Sequence, residues 1–391
     1  MYNCKLINWI ITLVLHANND IKLYTLNMIY KIKAIIYYIN AMENKVLNEK
    51  ISALTLKMAQ EPNNIENYHE LAELYLGVQN YDKVMSVLDS LLAIKPDDVQ
   101  GLVGMGTMWF YERDFRKSLQ YYNKALEVNP KNYLIYYNIG NVFAEWKNFD
   151  KALFYYNRAI DLNSTNAEIY NAIALLYQDN KEYVEAKAYY EKALSLEPDN
   201  VNALIDLGNV CFKLFEYETA LKLFKKVFVL APDNELIAVC IANALTLTKD
   251  KEQAYKYYEK ALSMTDDKYR IYICYAISLS EFKEYDMAEG MYKKAIDCSP
   301  KESSAYVLLA NLYSNQQRIS EAITTYKQAL QVDPNNAETF ELLGNAHYLD
   351  NDIDKAIQSY RAAIALAPTN DEYRLIYSQV MEDYIESSHK G

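Results

Sequence analysis

Thiols, imidazoles and carboxylates carry most protein chemistry, and in this sequence they are scattered. Five cysteines (Cys4, Cys211, Cys240, Cys274 and Cys298) contain no C-x-x-C pair, and their number is odd. They define neither a thiolate metal site nor a disulfide framework, and a reducing, cytoplasmic location is expected. The histidines His16, His69, His347 and His389 are scattered, with no second histidine or cysteine three or four residues away on one helical face, so no metal is expected. Gly101, Gly104 and Gly106 spell G-x-x-G-x-G, yet no strand precedes them and no nucleotide cofactor is implied. With 52 Asp+Glu against 40 Lys+Arg, the net charge of −12 has the wrong sign for nucleic acid. No catalytic constellation emerges, and the chain is not expected to be an enzyme. Amide chemistry remains. Asparagine stands at Asn141, Asn209, Asn243, Asn311 and Asn345, always a multiple of 34 residues apart. Each amide offers one acceptor and two donors, the complement of a peptide group, so such a row suits an extended chain held by its backbone.

The same interval governs the whole chain. Glycine (9) and proline (8) are too scarce to punctuate a sandwich, a barrel or an α/β enzyme, while 51% hydrophobic residues suffice for a core. All eight prolines (Pro62, Pro96, Pro130, Pro198, Pro232, Pro300, Pro334 and Pro368) fit 62 + 34k, with Ser164 and Asp266 on the two empty rungs. A fixed period of this length indicates stacked helical hairpins. Nine units run from Ile65 to Asn370. Position 8 of the unit is always Gly or Ala, as in Gly106, Gly140 and Gly208, which predicts close approach of two helix backbones. Alanine dominates positions 20 and 27, and between them position 24 carries a ring in eight units, for example Tyr122, Tyr156, Phe224 and Tyr326. Small, large and small at spacings of four and three make one buried helical stripe. Positions 4, 7 and 11 make another, as in Tyr170, Ile173 and Tyr177. Proline at position 32 stops the second helix. Two residues later Asp98, Asn132, Asn166, Asn200, Asn234, Asn336 and Asn370 are placed to cap the next one.

These residues resemble the tetratricopeptide-repeat (TPR) family, whose aromatic, Leu, Gly/Ala, Tyr, Ala, aromatic, Ala and Pro pattern recurs over 65–370. The resemblance implies an all-α, right-handed α-solenoid in which the first helices line a concave face with positions 2, 5, 9, 12 and 13. It also implies protein or peptide partners. Position 9 then holds the asparagine row, similar in kind to the ladder of O-linked N-acetylglucosamine transferase-type arrays, although that ladder uses position 6, held here only by Asn138. Beside it, position 5 carries Val103, Tyr137, Ile205, Val239, Ile273 and Val307, and position 12 carries Phe110, Phe212 and Tyr348. Five hydrogen bonds at about 1 kcal/mol each barely offset an association cost of roughly 4–15 kcal/mol, so the apolar side chains must supply the surplus. The expected ligand is an extended or helical peptide segment bearing hydrophobic side chains. A dicarboxylate clamp for chaperone tails is not expected, because its basic companion at position 5 is Tyr137 or Ile205.

Residues 371–391 repeat apolar side chains at helical spacing and read as a capping helix, and 42–64 read as a truncated leading unit. Residues 1–41 are a different text: four Lys, one Asp and no Glu or Arg, with a ten-residue apolar run Leu6–Leu15. Three readings stay open for them. They are leader sequence ahead of a start at Met42, a signal or membrane tether, or a further helix. The sixth unit (235–268) lacks the ring at position 17 (Lys251), the proline (Asp266) and the ring at position 4 (Ala238); it reads either as tolerated drift or as a flexible joint. The 21 residues beyond Asn370 are too few for a catalytic domain, so sugar transfer would need a separate partner subunit. An exported assembly factor would need 1–41 to be a signal.

Overall fold

The computed structural model describes residues 46–389, and the readings made for 1–41 lie outside them. Among the described residues every regular element is a helix. The chain forms two compact units, one up to Leu176 and one from Tyr177. The first contains α1 (46–60), α2 (Ile65–Gly77), α3 (Tyr81–Ile94), α4 (Val99–Tyr111), α5 (Phe115–Val128), α6 (Tyr133–Glu145) and α7 (Phe149–Leu162). The boundary falls within α8 (Ala167–Asp179). The second contains α9 (Tyr183–Leu196), α10 (Val201–Lys213), α11 (Tyr217–Leu230), α12 (Glu235–Leu247), α13 (Lys251–Met264) and α14 (Tyr269–Glu281). It continues with α15 (Tyr285–Cys298), α16 (Ser303–Asn315), α17 (Ile319–Val332), α18 (Ala337–Leu349), α19 (Ile353–Leu366) and α20 (Asp371–His389). In all nine units the first helix occupies positions 1–13 and the second 17–30.

Two turns set this register. At each hairpin the position-15 residue is left-handed, with φ between 57° and 64°, although none of the nine is glycine. Its N–H bonds the position-12 carbonyl and the next N–H bonds position 11, as in Arg113 to Phe110 (2.9 Å) and Asp114 to Trp109 (3.0 Å). This 5→2 and 6→1 pair satisfies two carbonyls that the helix end leaves open. Position 16 then caps the second helix where it is Asn or Asp: the side chains of Asn80, Asp114, Asn148, Asp250 and Asp352 accept from the amide three residues on. Between units, all seven expected caps form, from Asp98 accepting the Gly101 N–H at 2.9 Å to Asn370 accepting that of Glu372 at 3.0 Å. The tyrosines at position 4 tie the preceding turn: Tyr68, Tyr136 and Tyr306 donate to the carbonyls of Pro62, Pro130 and Pro300. Tyr170 does the same to Ser164 at 3.0 Å, so that turn keeps its tie without proline.

Packing corrects the reason for the small residue at position 8. What presses on it is the position-24 ring, not a second backbone. A Cβ added at Gly140 would lie 2.5 Å from Tyr156, at Gly208 2.5 Å from Phe224, and at Gly106 2.6 Å from Tyr122. The flanking alanines at positions 20 and 27 are fully buried, and the rings between them nearly so. At the start of the first unit, Leu54 of α1 packs with Tyr68, Leu71 and Val84. At the end of the second, Ile376, Tyr377, Val380 and Met381 of α20 cover Ile357 and Tyr360 of α19.

The sixth unit replaces what it lost. Tyr275, the ring that stands where the other units carry Leu, Ile or Met, stacks on Tyr258 at 4.8 Å between centroids and meets Tyr255 at 5.3 Å. A buried Thr246–Ser278 hydroxyl pair at 2.6 Å joins α12 directly to α14. Lys249 and Lys251 reach Glu281 and Glu284 across the same junction. The linker itself is altered: Thr265 is extended and Lys268 offers no cap to α14. These ties favour compensated drift over a joint.

Candidate functional site

All five asparagines sit on first helices, and four of them bond the second helix of the same hairpin. The Tyr156 hydroxyl donates to Asn141 Oδ1 at 2.8 Å, Tyr258 to Asn243 at 2.6 Å and Tyr360 to Asn345 at 2.7 Å. Tyr326 does the same to Asn311. A buried phenol must place its hydroxyl, and here the asparagine carbonyl meets that need. In two units without this asparagine another side chain serves: Thr107 for Tyr122 at 3.0 Å and Gln178 for Tyr190 at 3.2 Å. Four of the five amides are therefore internal braces; the Nδ2 of Asn345 goes to Glu341 at 2.7 Å and Asn141 also meets the Tyr137 hydroxyl, which leaves the donors of Asn243 and Asn311 for other partners. Burial pushes the braced phenols up, Tyr326 and Tyr360 to about 12.

Asn209 differs. Position 24 of its unit is Phe224, which has no hydroxyl, and Asn209 is exposed. Among the described residues neither its acceptor nor its donors are engaged by another side chain. It shares one face of α10 with the half-buried Ile205 and Phe212, at spacings of four and three. Phe212 meets Tyr217 edge-on at 5.2 Å and Phe224 at 6.4 Å. Elsewhere Tyr137, Ile273, Val307 and Phe110 are also half-buried, and Val239 is buried and cannot meet a ligand. Tyr137 lies against Tyr156 at 6.0 Å and Phe110 against Phe115 at 6.1 Å, so part of each ring is spent on internal packing.

One residue of this face escaped the sequence reading. Asp206 of α10 is half-buried and, among the described residues, makes no hydrogen bond and no ion pair; burial pushes its carboxyl above the ordinary range. Tyr190 lies close enough that Asp206 and Asp179, after burial, add to the upward shift of its phenol. The signal was available: position 6 is uncharged in seven units and acidic only at Glu70 and Asp206. The cysteines at the same position in the next two units, Cys240 and Cys274, are half-exposed, and burial pushes the Cys240 thiol up to about 11. That is the behaviour of small hydrophobes, not of nucleophiles. His347 is buried with its pKa lowered by burial, and no three potential ligands cluster for a metal among the described residues. No described helix is long and apolar enough to cross a membrane.

Tetratricopeptide-repeat models match residues 133–166, 165–232, 241–268 and 307–371, in the same register as the hairpins. The chain is a tetratricopeptide-repeat protein. As such it is a protein-interaction scaffold. Its fold is similar to that of a tetratricopeptide-repeat protein from Parabacteroides merdae, at 17% identity and a TM-score of 0.52 over 64% of this chain and 98% of that one. Yeast Tom70 aligns at 16% identity over 89% of this chain and 94% of its own, with a TM-score of 0.49. No curated protein sequence matches the chain.

Proposed function

We propose that this tetratricopeptide-repeat protein binds an extended segment of a partner protein along the face of its first helices, with Asn209 as the leading backbone contact. The observation that carries this reading is the exposed Asn209 amide opposite Phe224, flanked by Ile205 and Phe212. Where the other asparagines are latched through Oδ1, Asn209 offers both acceptor and donors, the full complement of a peptide group. Of the latched amides, those of Asn243 and Asn311 contribute donors only. Since one such amide supplies about 1 kcal/mol net per hydrogen bond, the apolar side chains at positions 5 and 12 must supply most of the affinity.

The test is selection of random displayed peptides on the full chain, followed by titration of the selected peptides against Asn209→Ala. A loss of roughly fivefold in affinity is expected, the equivalent of about 1 kcal/mol. Replacing the facing peptide amide by an ester should cause a similar loss that is absent in Asn209→Ala. Selected peptides indifferent to Asn209, Ile205 and Phe212 alike would refute the reading. Asn243 and Asn311 are unsuitable for this purpose, because removing them unlatches Tyr258 and Tyr326.

A further inference from the structure

A carboxylate taken half out of water with nothing to pair it raises the energy of the folded chain. Asp206 is such a group. Three residues before Asn209, it stands on the neighbouring turn of the same α10 face, and no described residue donates to it. The cation nearest to it along its own helix is Lys213, seven residues on and so about 10 Å away along the axis. Lys187 of α9, which lies near Cys211 of α10, is engaged by Glu216 at 2.5 Å, and no cation acts on Asp206. The Tyr190 phenol, whose proton goes to Gln178 at 3.2 Å, is close enough to feel the Asp206 charge and offers it no donor. A cation placed there would meet uncompensated negative charge in a partly desolvated setting, where attraction exceeds that of an exposed pair.

We propose that Asp206 receives a lysine or arginine side chain of the bound peptide, making this the point at which a sequence-tolerant backbone site becomes selective for basic segments. The proposal rests on the reading of the α10 face given above. The occupant's chemistry follows from complementarity: an acidic ligand side chain would face Asp206, and an apolar one would leave the charge buried and unpaired. In the bound state the guanidinium or ammonium donates to the Asp206 carboxylate while the neighbouring peptide group bonds the Asn209 amide.

Two fluorescent peptides test it, each an extended leucine-rich sequence with either arginine or its neutral isostere citrulline at the centre. Anisotropy titrations use the full chain, Asp206→Asn and Asn209→Ala, with melting curves to show that each variant is folded. For the native chain the arginine peptide should bind about tenfold tighter than the citrulline peptide, as a charge-assisted hydrogen bond requires. In Asp206→Asn the two should bind alike, whereas in Asn209→Ala both should weaken and the gap persist. Equal binding of the two peptides to the native chain, or a gap that survives in Asp206→Asn, overturns the role of Asp206 and leaves the groove reading standing. Failure of both peptides to bind the native chain overturns both.

Discussion

Phe224→Tyr is a sharp test of the latch between positions 24 and 9. The new hydroxyl enters a site where its partner already stands, because Asn209 holds the place that Asn141, Asn243, Asn311 and Asn345 hold in their own hairpins. Phe224 is 1% exposed, and the ring beside Gly208 has the same contact, 2.5 Å to a notional Cβ, as Tyr156 beside Gly140. The added oxygen should therefore form a bond of the 2.6–2.8 Å seen elsewhere. A net hydrogen bond is worth about 1 kcal/mol, whereas a buried hydroxyl left without a partner costs roughly 1–3 kcal/mol, so the sign of the change decides the question. The expected outcome is stabilisation, read as a rise of about 2–4 °C in the melting temperature and as slower amide exchange in α10 and α11. In the Asn209→Ala background the same substitution should destabilise by roughly 1–3 kcal/mol, giving a coupling of about 2–4 kcal/mol. Destabilisation in the native background, or zero coupling, would refute the latch. Success would also weaken peptide binding, since the amide would give up its acceptor.

Further outcomes follow from particular contacts. Gly140→Ala drives a methyl group into Tyr156 and should cost about 1–3 kcal/mol despite the better helix former, whereas Gly290→Ala, with nothing within 4 Å, should gain about 1 kcal/mol; equal melting curves would contradict the ring contact. Burial alone would raise the Glu289 carboxyl, but hydrogen bonds from Lys293, Arg318 and Tyr313 outweigh it and hold the group down at about 2. Its stabilising contribution is thus present above the ordinary value of 4.5 and lost as pH falls from there to about 2. Arg318→Ala, which removes the 2.8 Å contact, should move that acid loss to higher pH in denaturant titrations, and an unchanged pH profile would count against it. Amides of α12 and α13 should exchange no faster than those of α10 and α11; faster exchange would restore the joint reading of the sixth unit.

The register of all nine hairpins was legible because a 34-residue period repeats each position often enough to separate signal from drift. The caps were legible for the same reason: Asn or Asp before a helix has one common use. Pairings between positions were harder. That position 8 is small showed in every unit, but only the ring of Tyr156 or Phe224 lying on it gives the cause. The fate of the asparagines depended on a residue 15 places later, and the sequence did contain the clue that Asn209 alone among them is followed by Phe at that spacing. Tyr275 filling the gap left in the sixth unit crosses from one repeat to the next, where no periodic argument reaches. The left-handed residue at position 15 was invisible, because glycine, its usual marker, is absent there.

That residue has an electrostatic consequence. Left-handed backbone costs an L-residue on the order of 1–2 kcal/mol, and the chain accepts it nine times. Five of the nine are Arg113, Lys147, Lys181, Lys249 and Lys283, all exposed beside the C-terminus of a first helix, where the helix dipole leaves partial negative charge. Arg113 and Lys249 reach on to Glu145 and Glu281, at the end of the first helix in the next hairpin. Part of the strain is thus offset by charge, and that offset is screened by salt. In an acidic molecule these five hairpins become the ionic-strength-sensitive ones, and the four built on Gln79, Phe215, Gln317 and Asn351 stay indifferent to it.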